Sequence, residues 1–292
     1  MGNGTWTTSS FVNYSTVTKK MTVNSRGELD SSYTAQQIFT QRKMADELNP
    51  FGKMRECRDT EEHPATVPVI LALDVTGSMG KAASEVAKKL NTIMTQLYES
   101  VKDVEFMVMA IGDFAYDDAP LQVSQFESDI RIAEQLDKVW FEAGGGGNSY
   151  ESYTAAWYFG SRHTDLDCWK RGRKGILITM GDEPLNPYLP KWGLINEIGD
   201  HIEADIETPV LLEEVREKYD VYHLAVDDRE TSYKWYADKI QTSWGRYFDS
   251  DHLLTVGLDN IAPAIVSIVT KCAGPAEISN PAPAQTGDGI SW

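Results

Sequence analysis

LALDVTGSMGK, residues 71–81, decides how this chain is read. An apolar run ends at one carboxylate, Asp74. Two hydroxyls follow at alternate positions, Thr76 and Ser78, and Gly77 and Gly80 permit a tight turn before a helix-like run begins. A turn that sends alternate side chains to one side converges Asp74, Thr76 and Ser78 on one point. Their oxygens suit a hard cation, Mg²⁺, Mn²⁺ or Ca²⁺. Read alone, the same residues could equally cap helix N–H groups.

Outward from this stretch, strand-like runs alternate with amphipathic helices. Residues 67–73 are continuously apolar, as a strand covered on both faces should be. Residues 81–100 carry Val86, Leu90, Ile93, Met94 and Leu97 at helical spacing and predict one long helix. Buried strands are predicted at 104–112, 175–179 and 221–226, a short edge strand at 121–126, and a last strand near 246–248. Helices are predicted at 129–136, 152–163, 211–219, 233–242 and 259–271, the last with Pro263 in its first turn. This order implies an α/β domain: a three-layer, Rossmann-like, doubly wound and mostly parallel sheet with helices on both faces. Such sheets bind ligands beyond the carboxyl ends of their strands. The expected organisation is an N-terminal arm at 1–62, with an amphipathic helix at 35–48, a core domain at 63–272, and a Pro-, Ala- and Gly-rich tail at 273–292.

Two further loops fall on the same sheet edge. AGGGGNSYES, residues 143–152, offers Asn148, Ser149 and Ser152; TMGDEP, residues 179–184, offers Asp182 and Glu183. Together with D-V-T-G-S, these loops resemble the metal-ion-dependent adhesion site of von Willebrand factor A domains. That family's motif is D-x-S-x-S, with a Thr from a second loop and an Asp from a third. Asp74, Thr76 and Ser78 match the first element, with Thr in place of the first Ser. The resemblance spans about residues 67–271 and implies metal ligands Asp74, Thr76, Ser78 and Asp182, direct or through water. Ser149 stands for the second-loop Thr, because no Thr occurs there before Thr154. Where the family reads T-D-G, this chain reads Thr179-Met180-Gly181-Asp182, so Glu183 is an alternative donor. The resemblance further implies an intracellular, bacterial or phage-type interaction module. Its bound Mg²⁺ (or Mn²⁺ or Ca²⁺) would take a Glu or Asp from a protein partner, an AAA-type ATPase or another assembly component. Asp113, Asp117 and Asp118, after the second strand, read instead as a solvated turn.

Composition narrows the alternatives. A net charge of −17, from 44 acidic and 27 basic residues, repels a phosphate backbone, so no nucleic-acid partner is expected. No apolar run reaches membrane-span length, and MGNGTWTTSS at the start lacks the basic and apolar parts of a secretory signal. Cys57, Cys168 and Cys272 form no C-x-x-C pair. A cytoplasmic location without membrane attachment is the expectation. Enzyme motifs fail at specific positions: Ala82 follows Gly80-Lys81 where a P-loop needs Ser or Thr, and Thr76 stands where a nucleophile elbow needs Gly. The histidines are scattered, with His223 inside a buried-strand pattern. The expectation is an interaction protein that is not an enzyme. Two other readings stay open. One is a structural assembly or virion-type component with a vestigial metal site, using its arm and tail for subunit contacts. The other is a metal-dependent hydrolase with Glu151 or Glu183 as base. The excursion at 182–210 carries Tyr188, Leu189, Trp192, Leu194 and Ile195 near the proposed site, as partner contact or as core cover.

Overall fold

Six strands form the main sheet: β1 (Val67–Asp74), β2 (Val104–Ile111), β3 (Leu121–Val123), β4 (Gly175–Gly181), β5 (Tyr219–Val226) and β6 (Leu253–Val256). Their spatial order is β6-β5-β4-β1-β2-β3, parallel throughout except for β3, which runs antiparallel at the edge. These elements come from a computed structural model that describes residues 4–144 and 147–274. The expected tail lies outside the described residues from 275 onward, as do Gly145 and Gly146 of the glycine run.

The continuous apolar runs have the reason anticipated for them. Val69, Leu71 and Leu73 of β1 enter one buried cluster, while Ile70 and Ala72 enter the other. Helices α1 (Gly80–Lys88), α2 (Leu90–Ser100) and, at the chain's far end, α6 (Ile261–Ala273) cover the first face. Helices α3 (Tyr153–Arg162), α4 (Thr208–Lys218) and α5 (Tyr233–Gly245) cover the second. The result is the three-layer, doubly wound α/β sheet that the element order predicts. From β1 the chain moves to β2 and β3 on one side, then returns to β4 on the other. The strand order therefore reverses between β1 and β4, whose carboxyl ends flank a crevice of the kind in which such sheets bind ligands.

Several local expectations are corrected. The single helix at 81–100 is two, α1 and α2, divided at Lys89 (φ −94°, ψ 8°). The reason is tertiary: the Lys88 carbonyl accepts the N–H of Leu29 from the N-terminal segment, 3.2 Å away. The strand near 246–248 is instead the turn after α5, and the last strand comes later, at β6. Phe248 is apolar because it is buried against the second helical layer, not because it lies in a strand. Within 35–48 only Ala35–Ile38 is α-helical.

The N-terminal segment packs on the first face of the domain. Trp6, Phe11, Met21, Ile38, Phe39 and Leu48 are buried in the same cluster as α1, α2 and β1. Polar contacts fix its course: Trp6 Nε1 donates to Asn91 Oδ1 (3.0 Å), Tyr14 OH to Asp137 Oδ2 (2.7 Å), and Lys88 Nζ to the Ser31 carbonyl (3.0 Å). The excursion after β4 is divided in its role. Leu189, Leu194 and Ile198 are fully buried under it, whereas Tyr188, Trp192 and Ile195 are exposed.

Candidate functional site

Asp74 is the last residue of β1 and is fully buried. Its Oδ1 accepts the backbone N–H of Thr76 (2.9 Å) and the Thr76 hydroxyl (2.6 Å). This is the local turn that the D-x-T spacing encodes. Because the Thr76 hydroxyl spends its proton on Asp74, its oxygen lone pairs stay available for a cation. Ser78 is half-buried beyond exposed Gly77, where the turn opens to solvent.

The other two loops close on this turn. The Gly77 N–H donates to the Gly144 carbonyl (2.9 Å), and a Cβ on Gly77 would stand 3.2 Å from the Ala143 oxygen. The glycine-rich loop is therefore seated directly on the D-V-T-G-S turn. Asp182 follows β4, is fully buried, and accepts the Ser232 N–H through Oδ2. Its other oxygen, Oδ1, has no hydrogen-bond partner among the described residues. Ser78 lies near enough to favour the Asp182 charge, without closing a hydrogen bond to that oxygen. Ser149 sits half-buried in its loop, and its hydroxyl makes no hydrogen bond to the other candidate donors. Thr154, the first Thr after the glycines, is buried in α3 and its hydroxyl is taken by Asn186.

The structure adds a residue that the motif does not contain. Tyr153, the first residue of α3, donates its hydroxyl to Asp74 Oδ2 (2.9 Å) and accepts the Glu183 N–H (3.3 Å), joining the first and third loops. Gly181 makes this contact sterically feasible, since a Cβ there would lie 1.9 Å from the Tyr153 hydroxyl oxygen. The Tyr153 ring is held edge-on by His223 and Trp244, and those two rings stack 3.5 Å apart. His223 donates or accepts only through Nδ1, with Thr179 (2.9 Å), and burial holds it neutral by lowering its pKa well below the ordinary range. The sequence signal for Tyr153 was weak: an aromatic residue just after a loop looks like any core residue.

Two more carboxylates stand at the same sheet edge. Glu151 and Glu183 are both buried, and each has one oxygen, Oε2, without a partner. Among the described residues, none of Asp74, Glu151, Asp182 and Glu183 is in an ion pair. The electrostatic consequence is uniform. Burial, reinforced by the Asp182 charge, pushes Asp74 up to about 8. Burial and the Asp74 charge push Glu151 up to about 11, and burial with Asp182 pushes Glu183 up to about 7. Asp113 is not solvated as expected. It is buried, its Oδ2 accepting Asn148 Nδ2 (2.6 Å) and its Oδ1 the Ala115 N–H (2.9 Å), so it shapes the neighbouring loop.

Among the described residues, no group of three or more His, Cys, Asp or Glu is arranged to hold a metal ion. A cation here would depend on hydroxyl oxygens as much as on carboxylates. The residues present fit such an ion: the donors are all oxygens, and the buried Asp182 Oδ1 lacks any other partner.

No family model and no curated protein matches this chain. Among solved structures, it is similar to the pilus adhesin SpaC from Lactobacillus rhamnosus GG in its open conformation, with a TM-score of 0.45 and 15% identity. The match covers 76% of this chain, which spans 30% of the SpaC chain. It is similar to the vWF domain of the type V pili tip protein Mfa5 from Porphyromonas gingivalis, with a TM-score of 0.40 and 12% identity over 71% of this chain and 95% of that one. Proximal thread matrix protein 1 from the mussel byssus has a TM-score of 0.42 and 12% identity, covering 71% of this chain and 48% of that one. These similarities are low, and the fold stands on the strand order and layering of the chain itself. That architecture is the one the resemblance to von Willebrand factor A domains implies.

Proposed function

We propose that this protein is an interaction module that captures a carboxylate on a protein partner through a divalent cation, Mg²⁺ or a similar hard ion, held at the β1–β4 crevice. The observation that carries this reading is Asp182 Oδ1: a fully buried carboxylate oxygen without a hydrogen-bond partner among the described residues, beside a second buried carboxylate, with neither acid in an ion pair among them. Uncompensated buried charge is costly, and a cation is the simplest compensation. Asp74, Thr76, Ser78 and Asp182 would hold the ion, with Ser149 on the adjoining loop able to join them. When bound, the ion supplies a coordination position for an outside Glu or Asp. The chain's own residues do the rest. Tyr153 fixes the rotamer of Asp74, Gly77 seats the glycine loop, and Ser232 fixes that of Asp182. Tyr116, Tyr150, Tyr188 and Trp192, on the segments that follow β2, precede α3 and follow β4, are exposed, between 42% and 56%, and offer aromatic surface suited to protein contact.

The test is calorimetric titration of Mg²⁺ and Mn²⁺ into the protein, into Asp74→Ala and into Ser78→Ala, with far-UV circular dichroism confirming that the variants are folded. Saturable binding to the wild type, lost in folded Asp74→Ala and weakened in Ser78→Ala, is the expected result. Absent binding, or equal binding to all three, overturns the reading. Partner capture that disappears on adding a chelator would then identify the protein that supplies the carboxylate.

A further inference from the structure

At the opposite end of the sheet, where the strands begin, lies a cavity of about 630 Å³. Three cationic side chains line it: Lys174 just before β4, Arg216 in the last turn of α4, and Arg246 just after α5. The chain carries 44 acidic against 27 basic residues, and several of its half-buried cations are paired, Lys19 with Asp137, Lys88 with Glu85, Arg58 with three carboxylates and Arg162 with Glu214, while buried Arg55 and half-buried Lys218 spend their donors on backbone carbonyls. Among the described residues, Lys174, Arg216 and Arg246 are in no ion pair. Three unpaired cations around one cavity, in a protein with this excess of acid, call for a physical reason.

Arg216 is the most informative of the three. Its guanidinium is half-buried, lies over the Phe248 ring at 5.0 Å, and donates one hydrogen bond, from Nη2 to the Tyr247 carbonyl (2.9 Å). The stacking and that bond fix the plane of the group and leave other N–H donors unused, the state in which a guanidinium receives a phosphate or carboxylate with two oxygens. Tyr247 supplies an aromatic wall beside it, while Phe248 is buried beneath the guanidinium. Two acids also line the cavity, Asp220 and Asp249, the latter with its Oδ1 2.6 Å from His252 Nδ1 and its charge acting on Arg216, so the three cations outnumber the carboxylates by one.

We infer that this cavity binds a small organic anion: one phosphate or carboxylate group on a flat ring, with the charge on Arg216 and the ring against Tyr247. Its volume lies within the roughly 300–1,000 Å³ typical of small-molecule sites. The site is separate from the β1–β4 crevice and does not depend on the metal.

Phenyl phosphate, benzoate and inorganic phosphate would be titrated calorimetrically into the full chain, into Arg216→Ala, and into Lys174→Ala, whose exposed side chain is in no hydrogen bond or ion pair among the described residues. Saturable one-to-one binding of phenyl phosphate or benzoate is expected, weaker by roughly tenfold or more in Arg216→Ala and less so in Lys174→Ala, as fits the loss of a charge-assisted contact. The stronger of the two ring-bearing probes identifies the anionic group. Binding of inorganic phosphate as tight as phenyl phosphate would overturn the role of the ring wall. No saturable binding of any probe, or binding unchanged in both variants, would overturn the site.

Discussion

Tyr153 ties the site together at the scale of single residues. Its hydroxyl is the only hydrogen-bond partner given to Asp74 Oδ2 among the described residues, so Tyr153→Phe leaves that buried oxygen bare. A loss of about 1–3 kcal/mol in stability to urea is expected for the metal-free protein, with metal affinity also reduced because Asp74 is no longer oriented. Gly181→Ala tests the same contact from the other side. Its Cβ would fall 1.9 Å from the Tyr153 oxygen, well inside contact distance, and the tyrosine cannot retreat because His223 and Trp244 back its ring. Loss of metal binding together with about 1–3 kcal/mol of destabilisation is the expected outcome. The carboxylates also set a pH dependence. Asp74 has its folded pKa raised to about 8, above the ordinary value of an unfolded aspartate, so folding takes up a proton between those two values. In chelator, stability should therefore fall as pH rises through that window, by up to about 1.4 kcal/mol per pH unit for each such group, and level off above the folded pKa. Urea denaturation at pH 5, 6.5 and 8 checks this, and saturating Mg²⁺ should flatten the slope.

Among the elements, the N-terminal segment and the α1–α2 break belong to one device. Leu29 takes the Lys88 carbonyl, Ser31 takes the Lys88 ammonium, and Asn91 at the start of α2 is held by Trp6 and by the Arg26 carbonyl. The long apolar repeat of 81–100 was legible, but its division was not, because the competing hydrogen-bond partners come from residues more than fifty positions earlier. Trp6→Ala removes a buried indole and its bond to Asn91, and should cost about 3–5 kcal/mol, seen as a lower urea midpoint. An unchanged midpoint would mean that the segment is only loosely attached. The last strand was misplaced for a related reason. Phe248 looks like a strand residue because it is bulky and apolar, whereas its burial comes from packing against Trp157 and Trp244.

Across the whole molecule, the charge of −17 acts on the compact state as self-repulsion. Added NaCl should raise the melting temperature of the metal-free protein by a few degrees through screening, and a divalent cation should raise it further at far lower concentration if it occupies a specific site. Calorimetric melting in NaCl and in MgCl₂ at equal ionic strength separates the two effects. The fold class follows from features any reader of the chain meets: apolar runs too uniform for a one-sided sheet, separated by helices, must be covered on both faces. The D-V-T-G-S turn is likewise local, since a side chain two residues from its hydrogen-bonding partner needs no distant help. Which residues stand around Asp74 was decided only by tertiary structure. Tyr153, Gly181, Asp182 and Glu151 meet there because the strand order reverses between β1 and β4, and no local pattern records which carboxylates a crossover will bury together.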